Sequence, residues 1–383
     1  MRNSYLVFGQ PLIEEPEIEE VAKSLRAAWL GTGPKVAVFE QLVAEYKGVK
    51  HAVAVNSCTA GLHLGCLALG LRAGDEVIVP AMTFCATINA VIHAGATPVL
   101  VDVEPDTFNV NCEEVRRKIS PRTRGIMPVH FAGRACNMDV LTSLAREHDL
   151  RIIEDCAHAI ETEYHGRKAG GIGDCGVLSF YSTKNIVTGE GGMLLTNNAE
   201  VAARAKVLAL HGMSQDAWKR FSDDGYKHYD VVEVGFKYNM MDLQAAIGMH
   251  QIQRVERYWQ RRMEIWNRYN AAFAGLPIKL PAPIDKQTRH ALHLYTVLIN
   301  ENDAGITRDE FIRRLHRCNI GTGVHYRAIP VHTLYKQRFG WRSEDYPNAL
   351  SIGQSTCSLP LSAKLSDQDV SDVIAAVGQV LNR

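Results

Sequence analysis

The sequence predicts an α/β protein: a large, mostly parallel sheet with helices on both faces, then a smaller C-terminal α/β domain. Three observations carry that expectation. Short apolar runs alternate with helical stretches from residue 51 to about residue 196. Those runs are almost continuously apolar, the pattern of strands covered on both faces. Beyond Asn198 the pattern becomes helical, and the proline-rich Pro281-Ala-Pro283 reads as a linker to a second set of strand and helix signals.

Residues 14–29 read as an amphipathic helix, with Ile18, Val21, Ala22, Leu25 and Trp29 at helical spacing. Leu30-Gly-Thr-Gly-Pro34 breaks it, and a second helix runs from about Val36 to Lys47. Strands are expected at His51–Asn56, Glu76–Pro80, Thr97–Asp102, Gly125–His130 and Arg151–Asp155, with helices after the first four. Two further strands flank Lys184, making about seven. Helix then runs from Ala199 to about Leu210, and from Asp242 with little interruption to about Phe273. Between them the polar stretch Ser214–Asp230 reads as an exposed loop or lid. The division expected is a large domain over residues 1–250 and a small one over 251–383, with a strand at Leu294–Ile299 and helices near Arg308–Cys318, Asn348–Ser355 and Asp367–Leu381.

Composition sets the class. Lys plus Arg and Asp plus Glu both count 42 in 383 residues, so no net charge draws the chain to nucleic acid or to an acidic membrane. No apolar window reaches the length of a membrane span, and Met1 to Phe8 does not read as a signal peptide. Nine cysteines, without a Cys-x-x-Cys pair, fit reduced thiols in a cytoplasmic protein.

The chemistry gathers around Cys175-Gly-Val-Leu-Ser-Phe-Tyr-Ser-Thr-Lys184 and the glycine turn that follows. A lysine at the end of a buried strand is partly desolvated, which lowers its pKa and favours the nucleophilic amine that a Schiff base needs. A surface lysine is the plain alternative from this stretch alone. In parallel sheets, ligands collect at the carboxyl ends of strands. Asn56-Ser57, Thr83-Phe84, His130, Asp155 and Ser182–Lys184 all fall at such ends. Ser57 and Thr59 at a strand-to-helix junction suit a phosphate at the helix N-terminus or an ordinary cap. A carboxylate at the buried end of Glu154-Asp155 needs a partner, either a protonated cofactor nitrogen or an arginine. Gly171-Ile-Gly-Asp-Cys-Gly176 matches a dinucleotide fingerprint in letters only, because it opens a strand rather than a helix.

Together these pieces resemble the fold type I, aspartate-aminotransferase-like enzymes that use pyridoxal 5'-phosphate. More narrowly, the chain is identified as a member of the DegT/DnrJ/EryC1/StrS sugar aminotransferases. The motifs run nearly end to end: Gly31-Thr-Gly-Pro34, Asn56-Ser-Cys-Thr-Ala60, Pro80-Ala-Met-Thr-Phe84, Gly95-Ala-Thr-Pro98 with Asp102, Pro128-Val-His130, Glu154-Asp155 to His158, Ser179-Phe180 to Lys184-Asn185, Glu190-Gly-Gly192 and Gly323-Val-His-Tyr326. Gly235-Phe-Lys-Tyr-Asn239 and Gly321–Arg327 look most like members that make UDP-4-amino-4-deoxy-L-arabinose.

The resemblance implies roles. Lys184 would carry the cofactor and move the proton, Asp155 would pair with the ring nitrogen, His158 would lie near the phenolic oxygen and Phe84 would stack on the ring. Thr59, Ala60 and Ser179 would hold the phosphate, and Lys237 or Asn239 would reach the phosphate of the partner subunit in a homodimer with shared active sites. His325 and Tyr326 would meet sugar hydroxyls. The implied reaction moves an amino group from L-glutamate, leaving 2-oxoglutarate, to a nucleotide-linked keto-sugar, with no nucleic acid or membrane partner. An aminocyclitol or antibiotic-pathway transaminase of the same fold, or a non-catalytic regulatory relative, are the alternatives. A sugar dehydratase of similar fold would need histidine in place of Lys184.

Overall fold

A computed structural model describes residues 2–214 and 229–381. Helices α1 (Glu15–Arg26) and α2 (Pro34–Lys47) come first. Strand–helix pairs follow: β1 (His51–Val55) with α3 (Cys58–Ala68), β2 (Glu76–Pro80) with α4 (Cys85–His93), β3 (Thr97–Val101) with α5 (Cys112–Lys118), and β4 (Thr123–Ile126) with α6 (Met138–His148). Then come β5 (Arg151–Cys156), the short β6 (Glu163–Tyr164) and β7 (Arg167–Lys168), β8 (Cys175–Ser179), β9 (Gly192–Thr196) and α7 (Ala199–Ala209). The expected elements are present, most with ends shifted by a residue or two, but the strand expected to reach His130 ends at Ile126 and the first helix ends at Arg26 instead of residue 29.

Seven strands form one sheet in the order β1-β9-β8-β5-β4-β2-β3. Strand β9 runs antiparallel to both of its neighbours, and the other pairings are parallel. Connection length explains the exception. A parallel return needs a crossover, usually a helix, whereas residues 180–191 between β8 and β9 hold only the Lys184 turn and its glycines. The carboxyl ends of β1, β2, β4, β5 and β8 therefore share one edge of the sheet with that turn. Helix α3 lies close on the sheet because Gly61 lacks a side chain: a Cβ there would sit 2.5 Å from Cγ1 of Val177. The middle of the sheet is dry, with Val77, Ile78, Val79, Val177 and Leu194 wholly buried.

Two sequence expectations need correction. The helix expected over residues 14–29 stops at Arg26, short of Trp29, and its expected apolar stripe is not covered in this chain, Ile18, Leu25 and Trp29 being exposed at 53%, 57% and 47%. The face that α1 buries carries Glu17 and Ser24, and Glu17 pairs with Arg254 and accepts from Gln251 of α8. Periodicity marks an apolar face but not what covers it. The long helix after Asp242 is two, α8 (Asp242–Gln253) and α9 (Val255–Phe273), parted at Arg254 (φ −108°, ψ 3°).

The first turns of α9 pack Val255 and Tyr258 with α2 and the sheet, while Ile265, Trp266, Tyr269 and Phe273 enter a second core. That core is completed by β11 (Tyr295–Leu298), α11 (Arg308–Arg317), β12 (Thr356–Leu359) and α14 (Asp367–Leu381), and by Leu6 from the N-terminal segment. Strands β11 and β12 pair antiparallel, and β10 (Thr288–Arg289) joins β6. Helices α10 (Glu301–Ala304), α12 (Thr333–Phe339) and α13 (Pro347–Ser355) complete this part. Ala328, Ile329, Tyr335 and Ile352 cross back to the sheet's core, so residues 323–327 are held against the functional edge. Among the described residues no helix is long and apolar enough to cross a membrane. Trp218, Lys219, Arg220, Lys227 and His228 of the expected lid lie outside the described residues, whose flanks join through Ser214 N–H donating to Asp230 O (2.8 Å).

Candidate active site

At the carboxyl edge of the sheet lies a cavity of about 400 Å³, lined by Lys184, Asp155, His158, Ser179, Thr59, Phe84, His325 and Tyr326 among others. Eight residues picked from five separate stretches of sequence thus meet in one place.

Lys184 follows β8 by five residues in a tight turn: its amide donates to Tyr181 O (2.8 Å), and Gly189 takes a left-handed φ of +85° as the chain returns. Burial pushes the amine down to about 8, against a smaller opposing pull from Cys58 and Asp155. The desolvation read from sequence is therefore present. Asp155, near the end of β5, is 4% exposed. Its Oδ2 accepts from the Thr87 hydroxyl (2.8 Å) and its Oδ1 from the Ala157 amide (3.1 Å). Burial raises its pKa, opposed first by the Thr87 hydrogen bond. Neither sequence alternative for its partner is a side chain of this chain: among the described residues no arginine or lysine forms an ion pair with it, and threonine takes the local role.

Three histidines line the same cavity. His158 accepts the Ala132 amide at Nδ1 (3.1 Å), which leaves the ring proton on Nε2, 2.9 Å from the Tyr326 hydroxyl. Burial and the nearby Lys184 hold its pKa well below the ordinary value, so it is neutral. His325 lies 2.9 Å from Ser358 Oγ through Nδ1 and is brought down to about 4 by burial. His293 was not singled out by sequence. Asn185, the residue after the lysine, spends its amide protons on Glu161 (2.7 Å) and on Ala291 O (2.9 Å). Its Oδ1 then accepts from His293 Nδ1 (2.9 Å), whose ring packs 4.4 Å from His158. The signal available was the pair His290 and His293 just before an apolar strand.

Phe84 caps α4, is 56% exposed, and its ring lies 5.7 Å from that of Tyr326. Ser179 ends β8. At the start of α3, Ser57 Oγ accepts the Ala60 amide (3.1 Å). Ala60 is buried behind this cap and does not line the cavity, unlike Cys58 and Thr59, whose first-turn amides have no intrahelical acceptor. Lys237 and Asn239 are not brought into the cavity of their own chain. The Lys237 carbonyl accepts from Asn56 Nδ2 (3.3 Å). Asn239 donates to Thr32 Oγ1 (2.6 Å), lines a different cavity of about 450 Å³, and keeps a buried Oδ1 without a partner.

The glycine run 171–176 binds a carboxylate, but an internal one. Glu154, pointing to the opposite face from Asp155, accepts from the amides of Gly170 (2.8 Å), Ile172 (2.8 Å) and Gly173 (2.7 Å) and from His130 Nε2 (3.0 Å). The amides that a dinucleotide would have used are thereby taken.

With this geometry in view, the comparisons define the class. The chain belongs to the DegT/DnrJ/EryC1/StrS aminotransferase family, which matches residues 11–378. It is 46% identical to the spore coat polysaccharide biosynthesis protein SpsC of Bacillus subtilis, over 99% of this chain and 98% of that one. It is 36% identical to the UDP-4-amino-4-deoxy-L-arabinose--oxoglutarate aminotransferase of Shewanella sediminis, over 100% and 99% of the two chains. Among solved structures, Spr1654 of Streptococcus pneumoniae, named as a sugar aminotransferase, superposes in its PMP form with a TM-score of 0.91 at 34% identity, covering 98% of each chain. The same protein is also solved in a PLP form.

Proposed function

We propose that this protein is a pyridoxal 5'-phosphate-dependent aminotransferase that moves an amino group from L-glutamate to a nucleotide-linked keto-sugar, in amino-sugar biosynthesis. One observation carries the reading: a desolvated lysine and a buried carboxylate that, among the described residues, forms no ion pair face one cavity in a chain of an aminotransferase family.

The residues present fit the cofactor. Lys184 is the amine that would carry it, and Asp155 the acceptor for its ring nitrogen. Cys58 and Thr59 amides, with Ser179, would meet the phosphate, where the helix N-terminus favours an anion by roughly 0.3–1 kcal/mol. Phe84 stands on one side of the cavity and His158 on another. When bound, pyridoxal phosphate supplies the electron sink. The chain supplies the rest. Lys184, with a pKa near 8, takes and returns the proton at the substrate carbon. Asp155 keeps the ring nitrogen protonated. His158 stays neutral and donates through Nε2, and Tyr326 and His325 offer hydroxyl and ring contacts to sugar hydroxyls.

Two further observations support the sugar and the homodimer. The relatives named above act in polysaccharide synthesis or on an aminated arabinose nucleotide. Ile18 and Leu25 of α1 and Trp29 just after it, with Val232 (60%) and Val234 (88%), leave apolar area exposed on one chain, and the unpartnered Asn239 Oδ1 is the kind of group a second copy would satisfy. A cytoplasmic location follows from substrates of this class.

The test is half-reaction spectroscopy on the enzyme loaded with the aminated cofactor. A UDP- or dTDP-linked 4-keto sugar should restore the absorbance of the lysine-bound form at micromolar concentration. If only pyruvate or oxaloacetate does so, the sugar assignment is wrong while the cofactor chemistry survives.

A further inference from the structure

Thr83 and Thr87 form a hydroxyl chain that ends on Asp155. Their Oγ1 atoms are 2.7 Å apart, and Thr87 Oγ1 lies 2.8 Å from Asp155 Oδ2. Both are buried, Thr83 at 2% and Thr87 at 0% exposure. The direction of the chain is fixed by inventory: an ionised carboxylate only accepts, so Thr87 donates to it, and the Thr87 oxygen is left to accept from Thr83. A threonine inside a helix ordinarily returns its hydroxyl to the carbonyl four residues back. Here that hydroxyl is spent on a carboxylate from another element. For packing alone valine would serve at this dry position, having the same shape, so the hydroxyl is what the site uses.

We propose that Thr87, backed by Thr83, is a positioning residue that holds Asp155 as the ionised acceptor for the cofactor's ring nitrogen. The inference rests on the role of Asp155 proposed above. Thr87 and the Ala157 amide each tie one carboxylate oxygen, from α4 and from the segment after β5. Neutral donors fix the orientation without cancelling the charge, as an arginine would, so the full negative charge remains for the ring. Without Thr87 the carboxylate becomes a stronger base and draws the proton back from the nitrogen.

The experiment compares Thr87→Val, Thr87→Ser and Asp155→Asn with the unsubstituted enzyme, each loaded with pyridoxal phosphate. The readouts are the pH midpoint of the cofactor's visible band and kcat. Loss of one hydrogen bond to a charged acceptor should move the midpoint upward by about one pH unit and lower kcat by about tenfold in Thr87→Val. Thr87→Ser, which keeps the hydroxyl, should restore both. A Thr87→Val enzyme with unchanged midpoint and kcat, beside an impaired Asp155→Asn, would overturn the role of Thr87 alone. If Asp155→Asn also behaves as the unsubstituted enzyme, the reading of Asp155 fails and takes this inference with it. Should Thr87→Val not fold, Thr87→Ala is read by the same midpoint, and an unchanged value overturns the proposal.

Discussion

The Tyr326 hydroxyl lies 2.9 Å from Nε2 of His158, and this contact ties the C-terminal segment to the edge of the sheet. Because the Ala132 amide occupies Nδ1, His158 is the donor and Tyr326 the acceptor, which frees the tyrosine's own proton for the cavity. Tyr326→Phe removes the acceptor and the free donor together. Losing about one hydrogen bond's worth of positioning should lower kcat/KM for the sugar acceptor about tenfold, with cofactor affinity little changed. Steady-state kinetics beside a cofactor titration checks it, and equal losses in both would point to a collapsed site instead.

Lys184 gives a pH prediction. Only the neutral amine attacks, and burial places its midpoint at about 8 instead of the ordinary 10.5 of a solvated lysine. The rate at which the cofactor-free protein takes up pyridoxal phosphate should therefore rise with pH and be half-maximal near 8. A midpoint above 10 would show an ordinary solvated lysine. The sign for stability follows from the same shift. The unfolded chain holds more protons than the folded one between about 8 and 10.5, so this residue's contribution to stability increases with pH across that window.

Glu154 is a structural anchor. Glu154→Ala leaves three amides and His130 without their acceptor in a dry site. A loss of at least about 3 kcal/mol in unfolding free energy is expected, since each stranded donor costs roughly 1–3 kcal/mol. Burial pushes this carboxyl's pKa up, but the His130 bond and the amides together bring it below the usual value. Its contribution is thus present at neutral pH and fades as pH falls through that depressed pKa. Denaturant titration at pH 7 and pH 4 reads both effects.

The shared site is tested by complementation. Mixing Lys184→Ala chains with chains carrying Lys237→Ala and Asn239→Ala should restore part of the activity, because one hybrid site then keeps both sets of residues. Mixed dimers that demonstrably form and show no activity would refute sharing.

Much of the sheet was legible because buried strands and their helices carry strong local signals, and the chemistry falls where those strands end. Lys184, Asp155 and His158 could be named from sequence since each closes or follows such a strand. Thr87 and His293 could not, because a threonine within a helix and a histidine before a strand are ordinary until the fold sets Asp155 and Asn185 beside them. The stripe over residues 14–29 is the opposite case: its period is plain, but a single chain leaves Ile18, Leu25 and Trp29 uncovered, and the period does not say what covers them. Ala60 shows the limit of motif reading, its amide being committed to the Ser57 cap.

The measurement that bears most directly on the whole account is chemical fixation of the cofactor. Protein loaded with pyridoxal phosphate is reduced with borohydride, digested and mapped by mass spectrometry. The label should sit on the peptide containing Lys184, and Lys184→Ala should be colourless and unlabelled. Label on another lysine, or undiminished labelling of the Lys184→Ala protein, would contradict it.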